Sequence, residues 1–316
     1  MWKIINKLTD KKSKTTKITE LKVNGESITK QDSIADALNT YFNEIGPYLA
    51  SNLPDSNTIP ENYISPCDTS FEFSEILPLD VHRILSMPKT SKATGHDRIS
   101  PKLLKYCADI VAKSLTVIFI KSIEMGVFPD DFKVACVSPI HKSGSKSESS
   151  NYRPISVLTI ISKTFEKLIS KQLTVYLESN KLPSVYQAGF RKKSSTQTSL
   201  LHITKWYMNM DKGRLNGIIL LDLKQAFDCV DHGIQLGKMA HFGIRGTTLN
   251  LFQSNIIQMC KVDQTISKEK IIRCDVRQGS NLGPLLFLMC TLQKLLCNIN
   301  TKLCVNIAST VTHRFV

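Results

Sequence analysis

The run GIILLDLKQAFDCVDH, residues 217–232, decides how the rest of the chain is read. Its first seven residues, Gly217 to Leu223, are too short and too uniformly apolar for a surface helix, so they predict a strand buried on both faces. That strand ends on Asp222. A carboxylate in such a place is costly unless it is paired, protonated or bound to a cation, which makes Asp222 the strongest site candidate in the chain. The plainer alternative, a strand-end aspartate already in solvent and capping the next turn, stands beside it on the residues alone. Asp228 and Asp231 follow, but a D-x5-D-x2-D spacing does not put three carboxylates on one face of a departing strand. They read as turn and helix-cap residues, and Phe227, just before Asp228, reads on its own as core packing.

Upstream, FKVACVSPIH (132–141) and YRPISVL (152–158) are β-rich runs separated by the polar stretch KSGSKSESSN (142–151), a pattern that predicts a hairpin with a long, basic, flexible tip. Phe165, Leu168, Ile169, Leu173, Tyr176 and Leu177 mark an amphipathic helix, and Ser194 to Met210 predicts another. A further helix is expected from Ser100, with Pro101 in its first turn, through Leu104, Cys107, Val111, Leu115, Ile118 and Ile123 to a stop near Gly126. Near the N-terminus, Ile34, Ala37, Leu38, Tyr41, Phe42 and Ile45 follow helical spacing behind the possible cap Ser33. The stretch from Asn52 to Pro66, with three prolines, reads as a linker.

The whole chain has 316 residues, 42% hydrophobic and 22% charged, enough apolar material for a sizeable core and unlike a disordered, collagenous or rod-like protein. Its 41 Lys and Arg against 27 Asp and Glu give a net charge of +14. Residues 1–30 are net +5 and residues 31–88 net −8, which leaves +17 after residue 88, the surface expected to face an anionic partner. The longest uncharged apolar stretch, Leu282 to Leu292, has 11 residues, where a bilayer span needs about 20, so no membrane partner is expected. No apolar signal segment is visible in MWKIINKLTDKK. Nine cysteines without a C-x2-C pair read as reduced thiols, and the expected location is intracellular, cytoplasm or nucleus.

Five blocks of sequence, in order, resemble the reverse transcriptase (RNA-directed DNA polymerase) of jockey-like non-LTR retrotransposons. They are KATGHDRISPKLLK (92–105), VSPIHKSGSKSESSNYRPISVLTIISKTFEKLI (137–169), QAGFRKKSSTQTSLL (187–201), LDLKQAFDCVDH (221–232) and VRQGSNLGPLLF (276–287). The resemblance implies an α+β fold: the fingers and partial palm of a right-hand polymerase, preceded by a small helical linker region. It divides the chain into 1–88, 89–290 and a tail 291–316 unlike the family. It implies that Asp222 is the first palm carboxylate and a Mg²⁺ ligand, with the main-chain carbonyl of Leu223 as a further ligand. Phe227 looks like the aromatic gate under the incoming sugar. Lys142 and Arg153 match the fingers residues that hold a nucleoside triphosphate, for which a long cationic arm and a planar guanidinium fork are suited. Gln278 and Gly279 match the motif that contacts the nucleotide, though the family usually has proline where Arg277 stands and a small aliphatic where Asn281 stands. Arg191, Lys192 and Lys193 form a basic cluster suited to template phosphates; a solvated charge run is the alternative. The implied partners are an RNA template, a DNA primer and deoxynucleoside triphosphates, and the oligomeric state stays open.

Two-metal phosphoryl transfer needs converging carboxylates, which the family supplies on a downstream hairpin bearing aromatic-x-Asp-Asp. Here the last acid is Asp275. A frameshift near Met289 to Leu292 is the simplest explanation, and neither a thumb nor an endonuclease is expected in the chain. The expectation is therefore a reverse transcriptase domain that is inactive in this chain, with a catalytically dead basic RNA- or DNA-binding remnant as the alternative. A metal phosphodiesterase is disfavoured, because no His/Asp ligand cluster appears.

Overall fold

The computed structural model describes residues 17–52, 66–91, 93–183, 187–192, 194–201, 225–253 and 256–291. The expected strand 217–223, most of the expected helix from Ser194, most of the proline-rich linker and the tail from 292 lie outside them, as do Asp222, Leu223 and Lys193. Of the helix from Ser194, residues 196–201 are described and helical.

The expected hairpin forms the centre of the molecule. Strand β3 (Val134–His141) pairs antiparallel with β4 (Tyr152–Val157), Cys136 opposite Val157 and His141 opposite Tyr152. On its other side β3 pairs parallel with β5 (Ile256–Val262), Val134 opposite Ile257. Two short strands, β6 (Thr265–Ile266) and β7 (Lys270–Ile272), pair antiparallel with β5. The hairpin tip is folded rather than loose. Lys142 N donates to Asn151 O at 2.8 Å, Asn151 Nδ2 to Ser145 O at 2.9 Å, and the Tyr152 hydroxyl to Lys146 O at 2.6 Å, around a 3₁₀ turn at Ser149–Asn151. Polar tip residues that looked free to move are instead used to satisfy the turn's own backbone.

One side of the sheet is covered by α1 (Gln31–Ser51), which buries Ile34, Leu38 and Phe42 against Val137, Tyr152, Cys260 and Val262. The small hairpin β1 (Leu21–Val23) and β2 (Glu26–Ile28) completes that core through Leu21. Asn39, fully buried in α1, donates to Gln258 O and Lys268 O and accepts from Gln258 Nε2, so its amide is matched on three sides. Ser33 lies inside the helix rather than capping it; Lys30 is the cap residue and gives no side-chain bond.

The larger core is helical. It joins α2 (Pro78–Ser86), α4 (Ala108–Met125) and α6 (Ile160–Ser179) to α7 (His232–His241) and α9 (Gly283–Thr291), with the short helices α5 (Asp130–Lys133) and α8 (Gly246–Asn250) between them in the chain. The expected helix from Ser100 to Gly126 is in fact two. Ser100 caps α3 (Pro101–Tyr106) by accepting from Leu103 N, the backbone leaves helical geometry at Cys107, and α4 then runs to Gly126 at φ +65. The break rotates the buried face onto Ala108, Ala112, Leu115 and Phe119, and leaves Ile118 exposed. At the centre, Phe119 stacks on Phe165 with centroids 4.7 Å apart. The fold is thus mixed helix and sheet, and both cores take residues from either side of position 88. No described helix is long and apolar enough to cross a membrane. The seven described cysteines are free thiols.

Candidate active site

Three separate segments converge at the C-terminal half of β4. Asp231, expected as a cap, accepts from Ile234 N at 2.9 Å and starts α7. Before it, the turn 225–229 is stitched to the segment 273–276: Val276 N donates to Phe227 O and Asp275 N to Val230 O, both at 3.0 Å. After that segment the chain reaches Gln278, whose carbonyl accepts from Ser156 N of β4 at 2.7 Å. Gly279 follows at φ +109, and a Cβ there would stand 2.6 Å from Ser156 O. Both the backbone angle and the close approach require glycine. A side chain at 279 would push the loop off the strand that carries Arg153.

Arg153 is exposed on β4 opposite Ile140, and Lys142 is exposed at the first residue beyond β3. Neither side chain has a hydrogen-bond or ion-pair partner among the described residues. Two cations are therefore presented at the hairpin with nothing in the described fold to neutralise them.

Phe227 stacks on Phe287 of α9, centroids 4.3 Å apart and planes 9° from parallel. Phe190 meets both rings edge-on at 5.7 and 5.8 Å, from a backbone at φ +60. The aromatic that sequence offered either as a gate or as core packing is half-buried, with one side committed to this three-ring group. Arg191, next to Phe190, does not point free: its Nε and Nη2 fork onto the Glu178 carboxylate at 3.1 and 2.7 Å. Lys192 is exposed.

Sequence reading missed Glu166. It lies fully buried on α6, accepts from Arg277 Nη2 at 3.2 Å and from Asn281 N at 2.7 Å, while Asn281 Nδ2 donates to Lys163 O. The two residues that depart from the family pattern, 277 and 281, thus meet on this one region of α6. Burial pushes the Glu166 carboxyl above its ordinary value, opposed by the Arg277 guanidinium and the backbone N–H groups it accepts from. The only sequence signal was a glutamate on the apolar side of an amphipathic helix.

Asp228 is more than a turn residue. It lies in the turn, but its carboxyl is buried, accepts from Gln278 Nε2 at 3.3 Å, and is pushed by burial up to about 6. Asp275 beside it is raised well above the usual carboxylate range, by burial first and then by the charge of Asp228. No group of three His, Cys, Asp or Glu able to hold a metal ion occurs among the described residues.

Comparison with known proteins gives a match to the family described as reverse transcriptase (RNA-dependent DNA polymerase) over residues 140–315. The match begins at the end of β3 and includes the hairpin tip, β4, the 276–280 loop and most of the tail. The chain is 31% identical over 218 residues to a probable RNA-directed DNA polymerase from transposon X-element of Drosophila melanogaster, covering 66% of this chain and 24% of that protein. It is 27% identical over 241 residues to the RNA-directed DNA polymerase from mobile element jockey of the same organism, covering 72% of this chain and 25% of the relative. The chain spans about a quarter of the length of these curated relatives.

Proposed function

Since the chain belongs to the reverse transcriptase (RNA-dependent DNA polymerase) family and is jockey-like among non-LTR retrotransposon members, we propose that residues 89–290 form the fingers and part of the palm of a right-hand polymerase. Its reaction is addition of deoxynucleotides to a DNA 3′ end on an RNA template. The observation that carries this reading is the bond from Ser156 N to Gln278 O, which ties the loop bearing Gln278 and Gly279 to the strand bearing Arg153.

In this reading Lys142 and Arg153 neutralise and orient the triphosphate, one as a mobile point charge and the other as a fixed fork. Gln278 faces the nucleotide, Gly279 lets the backbone lie close to it, and the free side of Phe227 lies under the sugar. Asp222 is the residue of this chain that would hold Mg²⁺. The family works with a divalent ion, which when bound stabilises the charge developing on the transferred phosphate. Lys192 and Lys193 suit template phosphates better than Arg191, whose charge is already met by Glu178.

The 38 residues after Gln278 contain neither Asp nor Glu, so these 316 residues alone bind hybrid without extending it. A poly(rA)–oligo(dT) primer-template tests both parts, with anisotropy for binding and primer extension in Mg²⁺ or Mn²⁺ for chemistry. Binding without extension is expected. Extension that Asp222→Ala abolishes overturns the inactivity, and failure to bind any hybrid overturns the polymerase reading.

A further inference from the structure

The backbone of Gln278 is fixed by its bond to β4 and by the crowding of Gly279 against Ser156 O. What remains to be set is its side-chain amide, whose two ends are chemically opposite: an oxygen that only accepts and an NH₂ that only donates. Asp228 decides between them. An ionised carboxylate accepts and never donates, so it can meet only the Nε2 end, as it does at 3.3 Å.

The turn that carries Asp228 has little freedom of its own. Asp228 N donates to Gln225 O, its neighbour Phe227 accepts from Val276 N, and Gly46 of α1 packs so closely that a Cβ there would collide with the Asp228 carbonyl oxygen. The Gln225 amide donates in turn to the Tyr41 hydroxyl of α1 at 3.3 Å. Among the described residues, the groups facing Asp228 are few. Segment 273–277 brings the enclosed Asp275 carboxyl and Arg277, which is engaged with Glu166; α1 brings glycine backbone; and Cys229, adjacent in the turn, has its thiol raised by burial and by Asp228.

We propose that Asp228 is a positioning residue that, by accepting from Gln278 Nε2, fixes that amide with its oxygen outward, so the site offers the nucleotide a hydrogen-bond acceptor at this point. The proposal rests on the reading of Gln278 as a nucleotide contact. It gives a buried acid in the first palm motif a role that neither turn-forming nor metal binding assigns it.

The test uses the full chain, ¹⁵N-labelled, with the Gln278 side-chain amide assigned by comparison with Gln278→Ala. In the wild type these NH₂ resonances should move with pH, with a midpoint near the value of about 6 that burial gives Asp228. In Asp228→Asn they should not titrate. In parallel, a fluorescent dATP analogue is titrated onto the chain with Mg²⁺ and an RNA–DNA primer-template. Loss of a charge-assisted hydrogen bond corresponds to about tenfold weaker binding in Asp228→Ala, whereas Asp228→Asn, which keeps an acceptor oxygen, should rescue most of it. Gln278 resonances indifferent to pH overturn the proposal. So does Asp228→Ala binding as the wild type does while Gln278→Ala weakens binding, a result that leaves the nucleotide reading standing. If Gln278→Ala itself binds normally, the nucleotide reading fails and the proposal with it.

Discussion

Glu166 and Asp228 are two buried acids, both pushed up by burial, that differ in their partners: a guanidinium for Glu166 and a neutral amide for Asp228. Glu166 neutralises Arg277 and holds the start of the 281–283 segment. Arg277→Ala would strand its carboxylate in the core, and breaking one partner of a buried pair costs about 3–5 kcal/mol; chemical denaturation of the variant at neutral pH should read a loss of that order. Asp228 lies at about 6 against an ordinary value of 3.8, so the fold prefers its protonated form. It opposes folding least below pH 4, increasingly as pH rises from about 4 to about 6, and by a constant amount of about 3 kcal/mol above that. Asp228→Asn should therefore stabilise the chain at pH 8 by about 1–3 kcal/mol, with the gain gone by pH 4; unfolding midpoints across that range check the sign. Sequence could rank neither residue, because what sets them apart is the burial and partner each acquires from segments 50 to 115 positions away.

At the scale of elements, local patterns were legible wherever they were self-contained. The β3–β4 hairpin, α6 with its apolar face, and Asp231 as the cap of α7 all follow from spacing and capping chemistry. The break at Cys107 was not, since Ser100, Pro101 and Gly126 are valid start and stop signals whether one helix or two lie between them. Nor was the docking of α1 on the sheet, which periodicity marks as amphipathic without saying against what. That docking depends on Gly46 lying against the 225–229 turn. Gly46→Ala should lift α1 or shift the turn at an overpacking cost of about 1–3 kcal/mol, visible as a lower thermal midpoint together with weaker nucleotide binding. A change in stability with nucleotide affinity intact would show that the turn does not depend on α1. The same logic covers the aromatic group: Phe287→Ala removes the ring stacked on Phe227 and should cost about 3–5 kcal/mol, measured by denaturation.

Over the whole molecule, charge segregation was plain in the sequence, with −8 in residues 31–88 and +17 after them, yet it marked solvated surfaces rather than packing, for both cores cross that boundary. The basic excess should make binding to an RNA–DNA hybrid sequence-tolerant and salt-sensitive, with affinity falling by about a hundredfold or more between ~50 and ~200 mM salt as counterions are released; anisotropy at several salt concentrations measures the slope. The order of the five sequence blocks pointed to the family before any contact was known, while Asp222, on which the chemistry was centred, lies outside the described residues. What the described fold offers is the 276–280 loop bonded to β4 and, on the same hairpin, two exposed cations, Lys142 and Arg153, without a side-chain partner among the described residues. The most direct measurement is the affinity of a deoxynucleoside triphosphate for the chain carrying Lys142→Ala or Arg153→Ala, in the presence of Mg²⁺ and primer-template. Loss of a charge-assisted phosphate contact should weaken binding by about 10- to 100-fold in each variant, with the hybrid still bound; triphosphate affinity equal to that of the wild type in both variants would contradict it.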